Sequence, residues 1–299
     1  MEAMTPNRNN LVAAAGETIR RGSRSFHMAS HLFDRTTRER AWLLYAWCRH
    51  CDDVADGQVL GHGMTGEAAA PVAHLRHETE RALRGEGRGE GPFAGVALVA
   101  EECRIPHRLL FDHLRGFEMD AEAWRPQSEE DLVRYCYHVA GVVGCMMAVV
   151  MGVQPEDEET LARAADLGIA FQLSNIARDL REDHQAGRCY LPAEWMREEG
   201  IDTVDPFRVD QAPALVALSG RLVRLAERYE LASARGVPKL PFRARWAVLA
   251  ATRIYGAIGR RVAALGPTAW DARVVVRRRE KLAFLIPSLI ASARQRQDA

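Results

Sequence analysis

The sequence predicts an all-α protein. Strand-like alternation is scarce along its 299 residues, Ala, Leu, Arg and Glu dominate the long segments, and two segments carry a polar stripe on an otherwise apolar helix. Helices are expected over 10–31, 36–56, 72–84, 92–102, 106–121, 128–152, 157–183, 192–198, 211–234, 240–264 and 278–295. The first follows MEAMTPNRNN, which lacks the apolar core of a signal peptide, and contains GSRSF at Gly22 to Phe26. The second places Tyr45, Arg49, Asp52 and Asp56 on one face, with Trp42, Leu43, Leu44, Ala46, Trp47 and Val54 around them. Gly57 to Pro71, and GEGRGEGP from Gly85 to Pro92, are loops by composition and read as surface connections on either side of 72–84. Helix 128–152 holds the longest apolar stretch, Val139 to Val153. At fifteen residues it falls short of the ~20 a membrane span requires, so it reads as a buried core helix. In 157–183, Gln172, Asn175, Asp179 and Asp183 fall within about 60° of one another, and Ile169, Ala170, Phe171, Leu173, Ile176, Ala177 and Leu180 cover the other sides. Gly187 and Pro192 close that region, and the remaining helices follow from composition. With no fixed-period repeat and no linker, 1–299 reads as a single domain.

Hydrophobic content of 47% with 27% charged residues is ordinary for a globular protein, and the formal charge is zero. General attraction to nucleic acid or anionic lipid is therefore not expected, although Arg277, Arg278 and Arg279 form a local basic cluster. The six cysteines are scattered through mostly apolar segments, which suggests reduced thiols in a cytoplasmic protein. Cys48 and Cys51 form a C-x-x-C, but no second ligand pair at zinc-site spacing accompanies them. Buried thiols are the better reading.

The chemistry is concentrated in two aspartate pairs, Asp52/Asp56 and Asp179/Asp183, each four residues apart. That spacing puts two carboxylates side by side on a helix, where like charges repel. A hard divalent cation removes the conflict: Mg²⁺ takes oxygen ligands, using one or two carboxylates plus substrate phosphates. Two such pairs facing each other would hold a diphosphate by its metals. The alternative is two solvated acidic faces with Arg49 and Arg178 as ordinary ion-pair partners. Smaller features carry similar choices. The hydroxyls of Ser23 and Ser25 suit phosphate oxygens or simply decorate a turn. Gly141 and Gly144 within one helix imply either close helix packing or room for a long apolar ligand. Tyr190 either reaches back to the second aspartate pair or packs where Gly and Pro end the helix. His50, His138 and His184 have no partner set resembling a nucleophile and base.

GSRSF, YAWCRHCDDVAD, GFEMD, YCYHVAGVVG and FQLSNIARDLREDHQAGRCYLP, in that order, resemble the squalene/phytoene synthase family. The likeness is strong from Gly22 to Pro192 and weaker onward to about Leu282, and two segments resemble the family's bacterial phytoene-forming members. The resemblance implies an isoprenoid-synthase helical bundle around a central cavity. It implies Mg²⁺ (or Mn²⁺) held by Asp52, Asp56, Asn175, Asp179 and Asp183. Catalytic roles carry over to Arg49, Tyr135, Arg178 and Tyr190, and substrate contacts to Ser23, Ser25, Phe26, Val139, Gly144, Gln172, Asn175, Tyr255 and Arg273. Gly57 departs from the pattern, since close relatives often carry another acid there. The implied reaction joins two geranylgeranyl diphosphates head to head through a cyclopropyl diphosphate to phytoene, in carotenoid biosynthesis. A weak peripheral membrane contact would serve product release.

Squalene or dehydrosqualene formation from farnesyl diphosphate is the alternative within the family, because cavity depth sets tail length. A terpene cyclase or head-to-tail prenyltransferase would share the aspartate spacing but lack GSRSF and YCYHVAGVVG. A binding protein on this fold would be expected to lose aspartates, and here all four survive.

Overall fold

The computed structural model describes residues 7–56, 72–86, 91–201 and 205–294, without the side chains of Arg24, Ser25 and Asp56. The expectations placed on Ser25, Asp56 and Gly57, and on most of the two composition-defined loops, fall outside that description. Thirteen α-helices and no strand occur among the described residues. They are α1 (Arg8–Gly22), α2 (Arg24–Ser30), α3 (Arg35–Asp56), α4 (Val72–Leu83), α5 (Pro92–Cys103), α6 (His107–Ala121), α7 (Glu129–Cys136), α8 (Val142–Val150), α9 (Glu158–Gln185), α10 (Ala193–Glu198), α11 (Ala212–Ser233), α12 (Phe242–Leu265) and α13 (Arg278–Arg294).

Two expected helices are interrupted. The segment read as 10–31 breaks at Ser23, whose backbone is extended at φ −149° and whose Oγ accepts from the Phe26 N–H at 3.3 Å. A serine in that position satisfies a free amide at a helix start, so Ser23 begins α2 instead of continuing α1. The segment read as 128–152 contains a π-helical turn, Tyr137–Gly141, where the Val142 N–H donates to the Tyr137 carbonyl. Taken together, 129–150 is long and apolar enough to cross a membrane, yet half of it is buried against its neighbours. Its burial, with Leu132, Cys136, Val142 and Met146 inside the molecule's two apolar clusters, makes it a core helix; its length alone, expected to fall short, does not.

Two apolar clusters form the interior. One gathers Leu43, Leu44, Trp47, Val96, Leu110 and Met146 from α3, α5, α6 and α8. The other gathers Leu173, Ile176, Trp195, Leu218, Leu222 and Val262 around α9 to α12. Helix α9 supplies residues to both, including Leu161 to the first and Leu180 to the second. The Trp270 indole N–H donates to the Ala177 carbonyl at 3.0 Å and ties the segment after α12 to α9.

The glycine question resolves toward packing. A Cβ on Gly144 would collide with the Ala164 carbonyl of α9, and one on Gly168 would collide with the Ala140 carbonyl of the π turn. On the other side of the same turn, a Cβ on Gly116 of α6 would come within 2.7 Å of Val139. Gly144 does line an internal chamber, but its missing side chain serves the contact with α9.

Gly144→Ala and Gly168→Ala should each lower thermal stability, by about 1–3 kcal/mol, since backbone cannot yield to the added methyl. Gly220→Ala on α11, whose new methyl meets only the tip of Arg224 at 3.2 Å, should instead gain up to about 1 kcal/mol. Melting curves of the three variants check this, and a uniform response would remove the packing explanation.

Candidate active site

Helices α3, α6, α7 and α9 surround a polar chamber of about 400 Å³. The stripes read from the sequence are its walls: Tyr45, Arg49 and Asp52 from α3 face Gln172, Asn175, Asp179 and Asp183 from α9. Tyr135, Val139, Arg188 and Tyr190 complete it, together with His113, Phe117 and Asp120 from α6. The two acidic faces therefore line one chamber, with Asp179 and Asp183 largely withdrawn from solvent and the Asp52 side chain still 43% exposed beside Arg49.

The chamber's carboxylates are held by guanidinium groups. Arg49 contacts Asp52 at 2.9 Å and Asp53 at 2.7 Å. Arg178 binds its sequence neighbour Asp179 through two nitrogens, and Arg273 reaches the same carboxylate at 3.0 Å from beyond α12. Burial is the largest single influence and opposes the charges on Arg49 and Arg178, but the bonds to Asp53 and Asp179 together with the charges of the neighbouring acidic groups outweigh it, so both groups are held above the usual arginine value. Arg273 thus belongs to the polar chamber by contact. Tyr255 does not: its ring stacks on Phe171 at 4.1 Å and lines a second, apolar chamber.

That second chamber, also about 400 Å³, is lined by Phe26, Phe33, Met147, Met151, Leu167, Phe171, Leu240, Ile254 and Tyr255, among others. Val139, Val143, Gln172 and Asn175 line both chambers, so the two adjoin at the middle of α9. Ser23 and Gly144 also lie on the apolar side. Residues of α9 from Thr160 to Asn175 border it. At about 1.5 Å per residue that is roughly 22 Å of helix.

Asp120 is a residue that motif reading passed over, although it stood in GFEMD. Its carboxylate accepts from the Tyr135 hydroxyl at 3.0 Å and from the Tyr190 hydroxyl at 2.9 Å. The two phenol rings stack at 4.7 Å, and Trp124 stacks on the far face of Tyr135 at 5.8 Å. Burial and then the Asp120 charge push both phenols up, so both stay protonated. Tyr190 reaches Asp120 in this arrangement, in place of the second aspartate pair.

The donor set suits a hard divalent cation. Among the described residues no three His, Cys, Asp or Glu side chains converge at metal distance. Asn175 Oδ1, however, is buried without a hydrogen-bond partner, an oxygen of the kind such a cation takes. Burial, and next the Asp179 charge, push the Asp183 carboxyl up to about 7. An incomplete oxygen set fits Mg²⁺, which fills its octahedron with water and phosphate oxygens. The six cysteines are free, and burial pushes every thiol up, so none is a poised ligand or nucleophile.

Asp183 sets a stability test. A carboxyl whose native value lies above its ordinary value of 3.8 costs nothing when protonated in both states. Ionising it costs progressively more from about pH 4 to 7, reaching a ceiling of about 4 kcal/mol above that window. In EDTA, Asp183→Asn should therefore raise the melting temperature more at pH 8 than at pH 5. An equal shift at both values would mean the carboxylate is not strained by its surroundings.

The squalene/phytoene synthase family model matches residues 19–280. A 15-cis-phytoene synthase of Enterobacter agglomerans is 47% identical over 89% of this chain and 90% of its own length. One from Pantoea ananas is 44% identical over 94% of this chain and 91% of its own. Among solved structures, a ligand-bound dehydrosqualene synthase superposes with a TM-score of 0.85 at 26% identity, over 96% of this chain and 98% of that one. A squalene synthase from Alicyclobacillus acidocaldarius, at 23% identity and a TM-score of 0.72 over 85% and 95%, shares the fold. With its five motifs on one pair of chambers and that match across most of its length, the chain belongs to the squalene/phytoene synthase family.

Proposed function

We propose that this protein joins two geranylgeranyl diphosphates head to head, forming phytoene by way of a cyclopropyl diphosphate. The observation that carries this reading is the polar chamber opening, past Gln172 and Asn175, onto an apolar one bordered by roughly 22 Å of α9. An extended chain spans about 3.6 Å per three bonds, so the fifteen bonds along a geranylgeranyl main chain reach about 18 Å and the eleven of farnesyl about 13 Å. The longer tail uses the available depth. The relatives named 15-cis-phytoene synthase support the same choice.

Asp52, Asp56, Asp179, Asp183 and Asn175 would hold Mg²⁺ (or Mn²⁺), which supplies positive charge to a departing diphosphate. Arg49, Arg178 and Arg273, which here hold Asp52, Asp53 and Asp179, would turn to phosphate oxygens in the loaded site. The first diphosphate leaves with the electron pair of its C–O bond. The C2–C3 alkene of the second molecule then attacks the allylic cation, and a proton is lost as the cyclopropane closes. Loss of the second diphosphate, rearrangement and a further proton loss complete the product without a reductant. Tyr135 and Tyr190 present protonated hydroxyls beside the leaving groups, with Asp120 orienting them. The walls around Phe26, Val139, Phe171 and Tyr255 exclude water that would quench the cations. We also read 1–299 as one domain, a reading supported by the contribution of both apolar clusters to one site.

Purified protein with Mg²⁺ and geranylgeranyl diphosphate should yield phytoene without NADPH. A preference for farnesyl diphosphate, or a requirement for NADPH, would replace the reading with squalene-type synthesis. Asp52→Asn should lose on the order of a hundredfold or more in turnover while keeping its melting temperature.

Asp120→Asn should lower kcat about tenfold or more with little change in KM, because it disturbs two hydroxyls and leaves the tail chamber untouched. Combined with Tyr135→Phe, the losses should be markedly less than additive, since both substitutions break one network. Strictly additive losses would separate Asp120 from the tyrosines.

A further inference from the structure

Arg163 on α9 is the one charged side chain among the described residues that line the apolar chamber. Its guanidinium lies 2.8 Å from the carboxylate of Asp166, one turn further along α9 and outside that lining. A long cationic side chain in such a place lays its methylenes along apolar surface and carries its charge away from it. The stem is fixed at its root. A Cβ added to Gly236, in the turn between α11 and α12, would come within 2.7 Å of the Arg163 Cβ and 3.4 Å of its Cγ. Gly236 has a φ of −83°, which any residue adopts, so its missing side chain answers to this close approach and not to its backbone.

The depth at which Arg163 stands matters as much as its contacts. The two chambers adjoin at Asn175 on α9 and at Val139 before α8. Arg163 lies twelve residues from Asn175 toward the start of α9, which is roughly 18 Å of helix. On the facing wall Met151, just past α8, stands twelve residues from Val139, at a similar depth. Toward its start α9 lines the chamber no further than Arg163 and Thr160, and the Thr160 hydroxyl is committed to Asp157 at 2.8 Å.

We propose that the methylene stem of Arg163 closes the deep end of the apolar chamber and sets the longest allylic diphosphate that this protein accepts. The inference rests on the reading of that chamber as the tail site. A C20 main chain that starts at the junction ends at the stem. The nineteen bonds of its C25 homologue reach about 23 Å and would run roughly 5 Å into it. Arg163 does not line the polar chamber, so it selects tail length and leaves the reacting ends alone. Its charge has no part in this: the guanidinium serves to hold the stem in place through Asp166.

The test is a competition between geranylgeranyl diphosphate and its C25 homologue, geranylfarnesyl diphosphate, with Mg²⁺, reading the ratio of longer hydrocarbons to the C40 product. Arg163→Ala should raise that ratio about tenfold or more over the parent. Arg163→Met, which keeps the stem and drops the charge, should leave it near the parent's. A ratio unchanged in Arg163→Ala, or raised as much in Arg163→Met, overturns the proposal. Burial pushes the Asp166 carboxyl up and the Arg163 charge opposes it, so Arg163→Ala strands that carboxyl. If the variant therefore does not fold, Arg163→Ala with Asp166→Asn decides in its place. In the parent, binding of unreactive thiolodiphosphate analogues should tighten from C15 to C20 and weaken at C25, and further tightening at C25 also overturns the proposal. A parent that turns over the C15 diphosphate and not the C20 one overturns the assigned substrate alone. The same variants, compared on C20 against C15, then decide the role of the stem.

Discussion

Carboxylates crowded into a helical interior are the constraint on which the rest of this structure depends. Asp52 on one side and Asp179 and Asp183 on the other would repel across a chamber of about 400 Å³ if nothing opposed them. Arg49, Arg178 and Arg273 supply the opposing charge. The compensation is partial, as the raised Asp183 carboxyl and the unpartnered Asn175 oxygen show. The fold tolerates this because the surrounding helices bury large apolar faces elsewhere, around Trp47 and Leu110 in one cluster and Leu173 and Trp195 in the other. A site kept short of positive charge is prepared for ligands that bring it.

Much of this was legible in the chain. The stripes Tyr45–Arg49–Asp52 and Gln172–Asn175–Asp179–Asp183 follow from helical periodicity alone, and both prove to be chamber walls. Periodicity is local, however, and three features were not. Ser23 lies within a run that reads as continuous helix, and its capping bond to the Phe26 amide depends on how α2 turns away from α1. The π turn at 137–141 adds a residue per turn where the backbone is wedged between α6 and α9, and Gly116 and Gly168, which periodicity did not single out, are what let it fit. Asp120 lies on α6, far in sequence from both tyrosines it binds, so only the tertiary fold joins them. Tyr255 shows the converse: the motif named it, and its stacking on Phe171 puts it in the apolar chamber.

The thiols illustrate how burial decides between readings. Cys48 and Cys51 have redox or metal spacing, yet Cys51 is fully buried and its thiol is pushed well above its ordinary value by loss of solvent. A thiol that cannot ionise neither binds zinc nor attacks a disulfide. Cys48 lines the polar chamber on the same face as Asp52, and Cys51 packs inside the first apolar cluster.

Helix α9 runs unbroken from Glu158 to Gln185, past the apolar chamber first and the carboxylates last. One rigid rod therefore carries both the ruler and the reaction centre, several turns apart. Changes near Thr160 or Leu167 can alter what length of hydrocarbon is accommodated while Asp179 and Asp183 keep their positions. Such a division lets a lineage diversify the size of its products without having to reinvent the chemistry that makes them.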